Sequence, residues 1–393
     1  MQITVRCTVR AKRLFMALAI STLMGCITNP PATSAGPGFQ QVVTQLADDI
    51  IRQANPTVVQ RMLTRRIVLD PFLDAQSGQQ TIASQQAAAW FARHLQQQHS
   101  NLKLEKFDAQ GVDAADYLIA GTLRKSKPGD NFYTISATLT ERRTGLIIAS
   151  AVGRVQEHDV DNTPTAFYAD SPSVVTDRLT DGYIRTSEAP SGSAADPSYL
   201  ASLSTAVLVH EAHQAYEAER WNDALLRYQT VAQRPDGQQL KVFNGLYNSH
   251  LRLGDLGEAE KAFTHIVALG LATDNLAVRL LFNPGRTDFW NNSTSSQQYP
   301  MWLRQIAKET IAGDYCLTIV GHTSKTGSEA TNERLSLARA QAVRELLLQQ
   351  QRRLAQRIDV DGMGWKQTLI GSGTDDLRDA LDRRVEFKTR PCP

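Results

Sequence analysis

Tyr315-Cys316-Leu317-Thr318-Ile319-Val320, then Gly321-His322-Thr323-Ser324-Lys325-Thr326-Gly327, then Asn332-Glu333-Arg334-Leu335-Ser336-Leu337-Ala338-Arg339-Ala340, is the stretch that decides the C-terminal third of this chain. The first run is short and apolar and reads as a buried strand. The second is rich in Gly, Ser and Thr and reads as a strand-to-helix loop. The third opens a helix expected to run to about Leu354, with Arg339 about one turn in. Working outward, Leu276 to Phe282 reads as a strand and Met301 to Ala312 as a helix. Asp382-Arg383-Arg384-Val385-Glu386-Phe387 reads as a closing strand. Asp359-Val360-Asp361-Gly362 and Gly371-Ser372-Gly373 read as short turns that lack the rest of a calcium or nucleotide motif.

Gly-His-Thr, Asn-x-x-Leu-Ser-x-x-Arg-Ala and Asp-Arg-Arg-Val-Glu fall in the order and near the spacing of the OmpA-like peptidoglycan-binding domain, and residues 275–393 resemble that family. The resemblance implies a βαβαββ fold of helices on a mixed sheet. It also implies a ligand, the zwitterionic end of diaminopimelate in a peptidoglycan stem peptide. A carboxylate of this kind is matched by a guanidinium fork, and an ammonium by a carboxylate. By the motif, Arg339 supplies the guanidinium, Asn332 orients the loop, Arg383 closes the site and backbone groups near Thr323 add donors. Arg384 reads as structural. The family's acid after Gly-His-Thr is Ser324 here. Losing a charge-assisted bond costs roughly 1–3 kcal/mol, or roughly 5- to 150-fold in affinity. Glu329, Glu333 or another nearby acid would have to compensate.

The N-terminus carries Arg6, Arg10, Lys12 and Arg13 with no acid, then Leu14 to Ile20, then Leu23-Met24-Gly25-Cys26. A cationic start, a short apolar run and a small-residue site form a signal peptide over residues 1–25. The last four residues resemble the lipobox of bacterial lipoproteins. That implies cleavage before Cys26 and its acylation, palmitate included, which anchors stably because several chains sit on one residue. Residues 26–39, rich in Pro and Gly, read as a flexible tether. Ile27 is not the Asp that retains lipoproteins at the inner membrane in enteric bacteria, so the expected location is the outer membrane, facing the periplasm. Cys316 and Cys392 then remain for an oxidising compartment and form a candidate disulfide if their strands are antiparallel neighbours. Two unpaired buried thiols are the alternative.

Residues 40–156 read as an α/β module: a helix from Phe39 to Leu63 broken near Pro56, a strand at Arg66 to Phe72, a helix at Ile82 to Gln97, strands at Leu102 to Phe107 and Asp116 to Leu123, and a hairpin ending at Val155. The strand at Ile67, Ala115-Asp116-Tyr117-Leu118-Ile119-Ala120-Gly121-Thr122-Leu123 and Thr144-Gly145-Leu146-Ile147-Ile148 resemble the FlgO and CsgG N-terminal modules of envelope lipoproteins. That likeness implies interaction rather than catalysis. Asp70 and Asp74 read as a solvated loop. Residues 157–197, rich in Asp, Ser, Thr and Pro, read as a linker.

Four helices follow over residues 198–272. Ala224, Tyr228 and Val231 recur 35 positions later as Ala259, Phe263 and Ile266. The pattern resembles tetratricopeptide repeats, but two repeats are fewer than the ~3 that usually stand alone. They therefore lean on a neighbour or a partner. His210-Glu211-Ala212-His213 has its histidines three apart, not the four that place both on one face as zinc ligands.

The expected class is thus α+β and multidomain, with no catalytic set, metal cluster or cofactor motif. The formal charge of +2 becomes −2 without the four cations of residues 1–25, which gives no footprint for nucleic acid. The expected function is a non-catalytic lipoprotein tether or scaffold between membrane and peptidoglycan, with a protein partner on the TPR-like or α/β part. The alternatives are an accessory lipoprotein of a secretion or flagellar machine, or an activator of cell-wall synthesis, with altered ligand binding.

Overall fold

The computed structural model describes residues 38–54, 66–99, 102–126, 130–174, 176–290, 296–369 and 382–392, together with 373 and 379. Cys26, residues 26–37 and the expected helix break at Pro56 lie outside the described residues. Among the described residues, no helix is long and apolar enough to cross a membrane.

The first sheet holds β1 (Arg66–Leu69), β2 (Leu73–Asp74), β3 (Lys103–Glu105), β4 (Tyr117–Lys125), β5 (Phe132–Glu141) and β6 (Leu146–Gln156). Their order is β3-β1-β4-β5-β6, with β2 beside β4. β1 is parallel to both β3 and β4, whereas β4, β5 and β6 form an antiparallel meander. Alternation along β5 sends Tyr133, Ile135, Ala137 and Leu139 to one face, where α1 (Phe39–Gln53) covers them with Val43, Leu46 and Ile50. Each such side chain contributes about 1.5–3 kcal/mol on burial. α2 (Ile82–Gln98) joins this core through Ala83, Ala87, Phe91 and Leu95, and Thr81 and Ser84 cap its start reciprocally. α3 (Ala109–Ala114) lies on the opposite face, where Val112 packs with Val68 and Leu118.

Asp70 and Asp74 are not solvated. They are 6% and 2% exposed. Asp74 Oδ1 accepts hydrogen bonds from the Ser77 amide (2.8 Å) and hydroxyl (2.6 Å), which satisfies a buried carboxylate locally. Asp70 accepts from the hydroxyl of Tyr199, a residue distant in sequence.

Residues 157–197 do not behave as a linker either. They fold into α4 (Ala166–Asp170) and α5 (Arg178–Ser187) and bury Phe167, Tyr168 and Tyr183. The polar residues that suggested a linker serve as local caps: Asp177 accepts from the amides of Leu179 and Thr180, and Ser187 bonds back to Tyr183. The segment also stitches its neighbours. The Ser173 amide donates to Asn244 Oδ1, and the Val174 amide to the Ala277 carbonyl. Arg279 donates to the carbonyls of Tyr168, Ala169 and Ser171, closing the end of α4.

Four helices follow: α6 (Pro197–Glu217), α7 (Trp221–Ala232), α8 (Leu240–Arg252) and α9 (Leu256–Ala272). The six residues of the 35-position pattern are all buried. Tyr228 fills the space against Gly245, where an added Cβ would lie 2.3 Å from the ring. Only glycine admits that approach.

The second sheet has the order β7-β10-β8-β9, from β7 (Leu276–Val278), β8 (Cys316–Gly321), β9 (Ile358–Gly362) and β10 (Val385–Arg390). With α10 (Tyr299–Ala312) and α11 (Glu329–Gln350), the chain order is the expected βαβαββ. Asp359 to Gly362, read as a turn, is strand β9, parallel to β8. Cys316 and Cys392 are joined in a disulfide, Cα–Cα 5.2 Å, because β8 and β10 are antiparallel and pair Cys316 with Arg390. The boundary expected near residue 273 runs through a shared core: Phe243, Tyr247 and Phe263 pack with Trp302, Leu303 and Ile306. Trp302 Nε1 donates to the Tyr247 hydroxyl at 3.0 Å.

Candidate functional site

The loop after β8 and the helix after it are set by close backbone contact. A Cβ on Gly321 would lie 2.1 Å from the Ser336 carbonyl oxygen, and one on Gly362 would lie 2.5 Å from the Leu337 amide nitrogen. Helix α11 therefore rests directly on β8 and β9. It starts at Glu329, capped by the Ser328 hydroxyl, which places Arg339 about three turns in rather than one.

Thr323, Ser324, Asn332, Arg339 and Arg383 line one pocket of about 390 Å³, together with residues of the loop after β7. All five are buried, from 2% exposed at Thr323 to 7% at Arg383. Asn332 Nδ2 donates to the carbonyls of Thr326 (2.6 Å) and Ser328 (3.1 Å), which shapes the loop. The Thr323 amide is not a free donor, since it bonds to the Gly364 carbonyl at 2.9 Å. Its hydroxyl is buried without a partner. The Ser324 hydroxyl lies 3.5 Å from that of Thr326.

Arg339 is gripped from the other side. Its Nε donates to the Arg286 carbonyl (3.1 Å) and its Nη2 to the Asn283 carbonyl (3.2 Å). Its guanidinium lies 4.8 Å from the Phe282 ring centroid, a cation–π contact. Sequence reasoning missed this wrap of Phe282, Asn283 and Arg286. The turn signal Pro284-Gly285 directly after the strand was the clue.

The Asp-Arg-Arg-Val-Glu segment divides its work. Asp382 Oδ1 accepts from the Leu369 amide at 2.5 Å. Arg383 joins the pocket. Arg384 is 3% exposed and pairs with Glu386 at 2.5 Å, the structural role expected of it. Burial opposes ionisation of Glu386, but His322, Arg384 and Lys388 hold its carboxyl well below the usual range. Burial lowers His322, so the imidazole is neutral at pH 7.

Glu329 and Glu333 do not compensate for Ser324. Both carboxylates pair with Lys366, at 3.5 and 2.5 Å, and neither lines the pocket. Among the described residues that line it, two carry guanidinium groups and none a carboxylate. Chemically the pocket favours an anion. No cluster of metal-ligating side chains occurs among the described residues, His210 and His213 included.

Comparison with known proteins bears on this region. Residues 281–380 match the OmpA family. Outer membrane protein Omp38 of Acinetobacter baumannii is 32% identical over 114 residues, which cover 28% of this chain and 30% of that protein. The chain thus spans less than a third of the curated relatives it matches. Among solved structures, the peptidoglycan-associated lipoprotein of Burkholderia pseudomallei is similar at 22% identity, covering 29% of this chain and 89% of that one, with a TM-score of 0.24. A MotB-like protein of Desulfovibrio vulgaris is similar at 24% identity over 29% of this chain and 71% of that one, TM-score 0.24. The periplasmic domain of Helicobacter pylori MotB is similar at 17% identity over 30% and 76%, TM-score 0.24. The C-terminal part of the chain is an OmpA-like domain.

Proposed function

We propose that this chain is a non-catalytic envelope lipoprotein that tethers an outer-membrane assembly to peptidoglycan. The supporting observation is the convergence of Thr323, Ser324, Asn332, Arg339 and Arg383 on one pocket within the OmpA-like domain. In this reading Arg339 and Arg383 take the carboxylate of a diaminopimelate side chain, which exchanges weak carbonyl acceptors for a charge-assisted pair. Acylated Cys26 holds the other end in the outer membrane, and the α/β module and TPR-like helices recruit an envelope protein. The relative named an outer membrane protein agrees with an envelope location.

The test is co-sedimentation of the full chain, in detergent, with purified sacculi. The chain is expected to pellet, and Arg339→Ala to weaken binding about 10-fold or more. A chain that stays in the supernatant overturns the reading. A fatty-acid label that reaches the parent as well as a Cys26→Ser variant removes the anchor. A second reading is favoured by the lack of a carboxylate among the described lining residues: the pocket selects a carboxylate with no ammonium beside it. Preference for a stem peptide whose diaminopimelate amine is acetylated over one with the free amine distinguishes the two.

A further inference from the structure

The parallel half of the first sheet opens a second cavity. The crossover from β1 to β3 passes through α2 on one face, and the return from β3 to β4 passes through α3 on the other. Where neighbouring strands send their connections to opposite faces, a crevice opens at their carboxyl ends, the place where open α/β sheets bind ligands. Here that crevice lies beyond Leu69 and Glu105, and α6 roofs it. It comprises an outer groove of about 900 Å³ and an inner recess of about 90 Å³. Asp70, Pro71, Gln80, Phe107, His210 and His213 line both.

Asp70 and Lys241 both line the recess, and Asp177, whose Oδ2 is buried without a partner, also acts on Lys241. Asp70 Oδ2 accepts from the Tyr199 hydroxyl at 2.9 Å, and among the described residues nothing donates to its Oδ1. Lys241, from α8, makes one hydrogen bond, to the Thr180 hydroxyl at 3.5 Å, although an ammonium has three donors. No ion pair joins Asp70 and Lys241, of which Asp70 is buried and Lys241 half-buried. His213 is 5% exposed, lines the recess and has an Nε2 without a partner. Burial holds it neutral and lowers His210 to about 4, so both offer hydrogen bonds rather than charge.

We propose that this crevice binds a free basic α-amino acid, its ammonium on Asp70, its carboxylate on Lys241 and its side chain in the outer groove. A zwitterion is the ligand that matches a buried acid and a half-buried base that line one recess without pairing. Ala88, Ala89, Ala92 and Phe107 give the groove an apolar wall for an aliphatic stem. Glu211 and Glu105 face it already paired with Arg227 (2.7 Å) and Arg66 (3.6 Å), whereas Asp108 and Glu217 bond to backbone amides and, against Lys106, favour a cationic tip. This site is independent of the C-terminal pocket.

Calorimetric titration of the full chain in detergent with L-lysine tests it. Saturable binding is expected, with L-glutamate weaker. Cadaverine, which lacks the carboxylate, and 6-aminohexanoate, which lacks only the α-ammonium, should each bind about 10- to 100-fold more weakly. Asp70→Asn and Lys241→Met should each weaken L-lysine by a similar factor, with a cooperative thermal melt showing that each variant is folded. Ala89→Trp, on an exposed position of α2, should weaken L-lysine but leave glycine unaffected, and it serves if a charge variant fails to fold. Absence of heat with millimolar L-lysine, or equal affinity for cadaverine, overturns the proposal.

Discussion

Ser324 is the residue on which the ligand of the C-terminal pocket depends. It sits among two guanidinium groups where a carboxylate would balance an incoming ammonium. Ser324→Asp should therefore raise affinity for sacculi by roughly 5- to 150-fold, read by co-sedimentation against wild type; an unchanged affinity would mean the ammonium is not recognised there. Asp70 offers a test by pH. Burial raises it from 3.8 to about 7, against the Tyr199 hydrogen bond and the charge of Lys241. Between those values the unfolded chain releases this proton and the folded chain keeps it, so the contribution of Asp70 to stability falls as pH rises from about 4 to about 7, then levels. His210 and His213, lowered by burial, act in the opposite sense, since stability is lost as pH falls below 6.5. Tyr183 and Tyr199 also face Asp70 and stay neutral, raised by burial. Comparing Asp70→Asn with the parent isolates the one term: the variant should gain, relative to the parent, up to ~4 kcal/mol across that window. Asp70 was misread because a strand-end Asp before Pro looks like a turn; its burial depends on α6, which arrives from far along the chain.

At the scale of the element, helix α11 carries Asn332 and Arg339 to the pocket only because two glycines admit it. Gly321→Ala would push a methyl group into the Ser336 carbonyl. The expected cost is about 1–3 kcal/mol, seen as a lower denaturation midpoint, with loss of sacculus binding as α11 lifts. An unchanged midpoint would mean the helix has slack. The helices and most strands were legible because their periodicity is local: the hairpin β5–β6 and the order βαβαββ are both present in the pattern. β9 was not, because the exposed Asp359 and Asp361 alternate with Ile358, Val360 and Gly362, and a five-residue alternation ending in Gly looks like a turn until β8 pairs with it. The five motif residues of the pocket were legible as a set, whereas the carbonyls that hold Arg339 were not, since a backbone contact leaves no mark on residue identity.

At the scale of the molecule, the disulfide and the shared core set how the C-terminal part holds together. Cys316–Cys392 closes 76 positions, and the loop-entropy model assigns such closure ~4 kcal/mol. Reduction under non-denaturing conditions should lower the denaturation midpoint accordingly, and a midpoint unmoved by reductant would show that the strands β8 and β10 hold without it. Residues 157–197 were misjudged by composition: Ser, Thr and Asp satisfied each other and the backbone, while Phe167, Tyr168 and Tyr183 gave the segment its anchors.

The stacking of Phe263 on Trp302, ring centroids 5.3 Å apart, has a practical corollary for anyone dissecting the gene. A recombinant piece beginning at Asn275 would leave Phe263 behind and present Trp302 to water, so it should aggregate or melt early, whereas a piece that also keeps α6 to α9 would hold both rings and melt later.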